Sequence, residues 1–265
     1  MFGSLREEMP CANARTLRAT LFADPRFLEL IKSDVIPAWE MVRAVPKVTI
    51  DLGDGEKVVR TVRGNAVLYL CNPDGTVVDA YPGIYTAEDF LPMVRESIKE
   101  LIGKDLDTVR AYHKARGRVP EPTRITMSKM MLESPTLDLI GAADSPGVRL
   151  AAGDNDPDRE RFIAAAMRLS DASLTPRSVP QALSLAAGNS LVVDDPEQLA
   201  LEILRRDSEL NMTRTRPVVH LFFASEKKLP TPLEARDSIL ETILKIPYKD
   251  PYFGLREVLL PGTPK

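Results

Sequence analysis

Hydrophobic and polar positions recur with several different periods along the first hundred residues, and each period predicts an element. The run Asp24-Pro25-Arg26-Phe27-Leu28-Glu29-Leu30-Ile31 sets a capping Asp and a first-turn Pro before an apolar stripe of Phe27, Leu28, Leu30 and Ile31. That pattern predicts a short amphipathic helix. Val35 to Arg43 alternates apolar residues and reads as a strand, with Pro37 held to one end because it has no N–H for a ladder. Lys47 to Leu52 and Lys57 to Val62 flank Gly53-Asp54-Gly55-Glu56 and predict a β-hairpin. Ala66 to Cys71 is almost unbroken apolar sequence, the pattern of a strand buried on both faces. Asn72-Pro73-Asp74-Gly75 then turns the chain, and Thr76 to Tyr81 returns antiparallel.

A helix follows Thr86-Ala87-Glu88-Asp89, with Phe90, Val94, Ile98 and Leu101 facing inward. Asp89 is the expected cap, since that choice puts Pro92 in the first turn, where a missing N–H costs nothing. A second helix spans Leu106 to Ala115. Val119-Pro120-Glu121-Pro122-Thr123 breaks the pattern and marks a boundary, which separates a domain at 1–117 from a mainly helical region at 118–265. Proline-led helix starts recur in the second part, at Asp156-Pro157, near Ser178-Val179-Pro180, at Asp195-Pro196 and at Thr231-Pro232. Between the last two, the apolar run Pro217 to Ala224 reads as a buried strand.

Composition narrows the function classes. A chain of 265 residues with 44% apolar and 28% charged residues can build a sizeable core, and its formal charge of −3 supplies no broad positive field. Nucleic acid and anionic membranes are therefore not expected partners. No apolar run reaches the length of a membrane span, and the first residues lack a basic then apolar leader. The expected location is cytoplasmic as the sequence is written, and extracytoplasmic should the natural start lie upstream of Met1.

The candidate chemistry is sparse. The two cysteines, Cys11 and Cys71, and the two histidines, His113 and His220, form no metal-ligand spacing, so neither a metal nor a cofactor is expected. Asp154-Asn155-Asp156-Pro157-Asp158 lacks the glycine and terminal glutamate of a calcium loop, and Asp156 reads as a helix cap. Cys71 closes an apolar strand and is expected in the core, His220 as a hydrogen-bonded core histidine, and Trp39 as a packing residue. Cys11 stands out. It precedes Ala12-Asn13-Ala14 at a predicted helix start, where backbone N–H groups and the helix dipole favour a thiolate.

Cys11, Leu17 and Phe22-Ala23-Asp24-Pro25, together with Tyr69 to Val78, Pro82-Gly83 and Phe90-Leu91, follow one another in an order that resembles the thioredoxin-like family over about residues 9 to 102. The resemblance implies an α/β fold: a mixed sheet flanked by helices, here with a mainly helical C-terminal extension. It also implies an attacking thiol at Cys11. Three departures stand beside it. Ala14 occupies the place of the resolving cysteine, Gly64-Asn65-Ala66 replaces the family's cis-proline loop, and few residues precede Cys11 to make a first strand, a place Pro217 to Ala224 is the best internal segment to fill. The implied function is a redox-degenerate protein that binds a protein or small ligand around Cys11, Asn13, Arg63, Gly64 and Asn65. The alternative is a single-cysteine thiol-disulfide oxidoreductase whose Cys11 relies on an external resolving thiol.

Overall fold

The structure is a computed structural model that describes residues 11–61, 64–120, 156–167, 169 and 196–255. It mixes helices with two separate antiparallel strand pairs, so among the described residues the single mixed sheet expected from the sequence is not formed. Helix α1 (Ala12–Ala19) leads through a 3₁₀ turn at Leu21–Ala23 into α2 (Pro25–Ser33). Asp24 caps α2 by accepting from the Arg26 backbone N–H at 2.8 Å, with Pro25 in the first turn, as the sequence predicts. Phe27 and Leu30 are buried, while Leu28 of the same stripe is exposed. Residues 35–46 form no strand, which corrects the strand read at Val35 to Arg43. Pro37 and Pro46 bring no N–H to a ladder there, and Trp39, expected to pack, is 52% exposed.

Strands β1 (Lys47–Asp51) and β2 (Lys57–Thr61) pair as the expected hairpin. A second antiparallel pair, β3 (Val67–Cys71) and β4 (Val77–Pro82), is joined by the Asn72 to Gly75 turn. The strand buried along its whole length is β4, whereas β3 is half-buried at most positions. The reason lies in the packing: β4 gives Val77 and Ala80 to one hydrophobic cluster and Val78 and Tyr81 to another.

Helix α3 (Ala87–Leu101) is capped by Thr86, whose Oγ1 accepts from the Asp89 N–H at 3.2 Å. Asp89 therefore is not the cap, and Pro92 sits inside the helix. The Asp89 carboxylate is occupied instead by the hydroxyls of Thr86 and Ser208, at 2.9 and 2.5 Å. Helix α4 (Leu106–Arg116) follows, capped by Asp105.

Beyond the Pro-rich break lie α5 (Pro157–Met167), begun by the predicted Asp156 cap, and α6 (Pro196–Leu210). Without leaving helical geometry, α6 passes through a π turn at Asn211–Thr215 into α7 (Arg216–Ser225). The strand expected over 217–224 is thus a helix. A short apolar run buried on all sides has the same pattern in either state, and here the helix arriving from Pro196 decides it. The wider π turn opens the backbone just before Pro217, which has no N–H to donate and would crowd a regular turn. Thr231 and Glu234 form a reciprocal capping box for α8 (Pro232–Asp237), which continues as a second π segment, Ser238–Ile243. The expected helix start near Ser178-Val179-Pro180 lies outside the described residues.

Helix α7 ties the two parts of the chain together. Every residue from Arg216 to Ser225 is buried, and its neighbours are α4, α5 and β4. Phe222 and Phe223 share a hydrophobic cluster with Cys11, Val77 and Phe162, so residues before and after the Pro-rich break meet in one core. Gly117, just past α4, makes the approach close. A Cβ there would stand 2.6 Å from the Leu221 side chain.

Candidate functional site

Two polar groups of residues are buried in this core. The first contains the cysteine that the sequence singles out. Cys11 is the N-cap of α1, and its Sγ accepts from the Ala14 N–H at 3.4 Å. The thiol is 0% exposed. Asn13, on the first turn of α1, donates through Nδ2 to Oδ1 of Asn65, the residue that leads toward β3. Asn65 Oδ1 also accepts from the Ala66 N–H at 2.8 Å, which orients its amide. Both asparagines are only 1% exposed, and among the described residues Asn13 Oδ1 and Asn65 Nδ2 have no hydrogen-bond partner. Gly64 is half-buried with a φ of 84°, a conformation that favours glycine. Of the five residues grouped from the sequence, the structure brings Cys11, Asn13, Gly64 and Asn65 to one end of β3, and Arg63 lies outside the described residues. Cys71 is half-buried at the far end of β3, where burial pushes its thiol pKa up.

The second group was not legible in the sequence. Asp79 of β4 is fully buried and accepts from four donors: Arg216 Nη1 at 2.6 Å, Arg216 Nη2 at 3.0 Å, Ser97 Oγ at 2.7 Å and the Ala80 N–H at 2.8 Å. Arg216 also donates to the Ala80 carbonyl at 2.5 Å and lies over the Tyr81 ring at 4.4 Å. Burial alone would push the Asp79 carboxyl pKa up, but the Arg216 guanidinium outweighs it and holds the group well below the carboxylate range. The two charges therefore persist as a desolvated ion pair, which is sustained only by this dense set of hydrogen bonds.

His113 of α4 and His220 of α7 stand beside that pair, their Nδ1 atoms 2.7 Å apart. His113 Nε2 lies 2.8 Å from the Val78 carbonyl oxygen. A carbonyl can only accept, so His113 carries its proton on Nε2 and leaves Nδ1 as an acceptor. It follows that His220 donates from Nδ1, and its Nε2 keeps a lone pair that meets no hydrogen-bond donor among the described residues. Burial depresses both imidazoles, His113 to about 4 and His220 well below its ordinary value. Both are neutral near pH 7.

Asp79, His113 and His220 offer ligand atoms within 4.8 Å of one another, the spacing of a metal donor set. Those atoms are committed elsewhere: the carboxylate to a guanidinium, and both His113 nitrogens to hydrogen bonds. A cation would have to displace Arg216, so the arrangement is read as a hydrogen-bond network.

The network opens on one side to a cleft of about 410 Å³ between α3, α4 and the start of α7. Arg216 and His220 form part of its lining, with Met93, Tyr112, Arg118 and Met212. Arg116 stacks on Tyr112 at 3.7 Å and pairs with Glu96 at 2.6 Å on the cleft's edge. Nothing local in the sequence could have drawn Asp79 and Arg216 together, because they are 137 positions apart. The one available signal was a basic residue and a histidine, Arg216 and His220, spaced one helical turn apart in an otherwise apolar run.

Comparisons with family models, with curated proteins and with solved structures find no match to this chain.

Proposed function

We propose that the chain is a thioredoxin-like protein that works by binding a protein or small ligand, without thiol exchange. The observation that carries this reading is the burial of Cys11: an attacking thiol must reach a disulfide in solution, and this one is enclosed while its sulfur caps α1. Two further features support it. Ala14 stands where a resolving cysteine would be needed, and the Asn13–Asn65 contact brings the loop before β3 against the cysteine helix, where the family holds its active-site loop. The element order β3, β4, α3 is the order the resemblance implies for the closing half, and it supports the reading by order alone, since the described strands form two separate antiparallel pairs.

The test is alkylation of the native protein by iodoacetamide across pH, in a Cys71→Ala background so that one thiol is read. Cys11 should stay unmodified until the protein unfolds, and the protein should not accelerate insulin reduction by an added thiol. Rapid alkylation with a pKa below that of an ordinary cysteine, together with reductase activity abolished by Cys11→Ser, would replace the binding reading with the single-cysteine oxidoreductase.

A further inference from the structure

We propose that the cleft between α3, α4 and α7 is a recognition site for a small organic acid that also carries a hydroxyl or amide hydrogen-bond donor. The inference deepens the binding reading but does not depend on the state of Cys11, which lies in the other polar group.

The floor of the cleft contains protein atoms whose hydrogen bonding is incomplete. His220 is 7% exposed and lines the cleft, and the chain from the Val78 carbonyl through His113 fixes its tautomer. The outcome is a lone pair on Nε2 that no donor among the described residues uses. Arg216, one turn earlier on α7, lines the same cleft, and among the described residues its Nε–H has no acceptor. Arg216 Nε is sealed in the core, so the open group at the base of the cleft is the His220 lone pair, and such a lone pair on a fixed imidazole points to a partner that enters. At His220 that partner must be a donor. An ammonium group would meet a positively charged rim, so a neutral hydroxyl or amide N–H fits better.

The rim supplies the second element. Arg116 is neutralised by Glu96, and Arg216 by Asp79, but among the described residues Arg118 has no ion-pair partner. The lining thus carries one uncompensated guanidinium, which pairs with a carboxylate in a bidentate fashion. Between floor and rim lie Met93, Met212 and the Tyr112 ring, polarizable surfaces suited to a flat apolar or aromatic body. A volume of about 410 Å³ is within the range of small-molecule sites and holds such an acid.

Three probes separate the elements: 4-hydroxyphenylacetate, phenylacetate without the donor, and 4-hydroxyphenylacetamide without the acid. Binding near pH 7 is followed through the long-range ¹H–¹⁵N signals of the two imidazoles. The complete probe should bind about tenfold more tightly than either control, as loss of one hydrogen bond or ion pair implies. It should shift the His220 Nε2 resonance and leave that of His113 Nε2 nearly still. In Arg118→Gln, an exposed position that leaves folding intact, the acid should lose its advantage over the amide while the hydroxyl keeps its own. Equal binding of all three probes, no saturable binding below roughly 10 mM, or unchanged selectivity in Arg118→Gln would overturn the site. Those failures would leave the assignment of Cys11 standing, and a reactive Cys11 would leave the cleft standing.

Discussion

The two buried polar groups are built on opposite rules. The asparagine pair beside Cys11 is neutral, and among the described residues two of its atoms, Asn13 Oδ1 and Asn65 Nδ2, are left without partners. Around Asp79 the groups are charged, and the carboxylate accepts from four donors. The difference follows from what desolvation costs. A buried amide atom without a hydrogen bond costs about 1–3 kcal/mol, which a core of this size absorbs. An unpaired buried carboxylate costs far more, so such a group is tolerated only with its counter-charge and hydrogen bonds in place. The comparison assigns the groups different duties: the asparagine pair orders a loop, and the ion pair holds α7 against β4.

Breaking each group should reveal that asymmetry. The largest effect is expected from Arg216→Met, which leaves Asp79 charged and unpaired. Stability from urea unfolding should fall by about 3–5 kcal/mol, and adding Asp79→Leu should recover a good part of it. Recovery would show that the loss was the stranded charge; no recovery would show that Arg216 mattered for its packing.

Acid should act next. Burial pushes His113 down to about 4 in the folded protein against 6.5 unfolded, and pushes His220 well below its ordinary value as well. The unfolded chain therefore binds more protons as pH falls below 6.5, so this stability is fully present above that value and is lost on the way down to about 4. Urea titrations at about pH 7 and pH 5 should differ by about 2 kcal/mol from His113 alone, and by more with His220 added in the same direction. His113→Phe should flatten the slope by about half. An unchanged slope would mean that the imidazoles are not shielded in solution.

The smallest change belongs to the neutral pair. Asn65→Ala strands Asn13 Nδ2 and the Ala66 N–H and should cost about 1–3 kcal/mol. Its pH dependence should match that of the parent, and a difference would mean the two groups are coupled.

Legibility divides along a similar line. The Asp24 cap, the β1–β2 hairpin, the β3–β4 turn and the Thr231 capping box are local, so a few adjacent residues carry the whole signal. The sequence reading groups Asn13 with Asn65, and their side chains meet. Asp79, His113 and Arg216 carried no such hint. Each is an ordinary residue in an ordinary element, and only long-range packing joins them. Pro217 to Ala224 failed for another reason: Val218, Val219, Leu221, Phe222 and Phe223 are buried on every side, so no polar face reports the helical period.

The π turn at Asn211–Thr215 gives the chain a counting rule. A π turn behaves as one residue inserted into an α-helix, and one residue rotates everything downstream by about 100° around the axis. Deleting a single position there would swing Arg216 and His220 in concert off the face that meets Asp79 and His113, though all four residues would remain. The union of the two halves is therefore written in the number of residues in that turn as much as in their kinds.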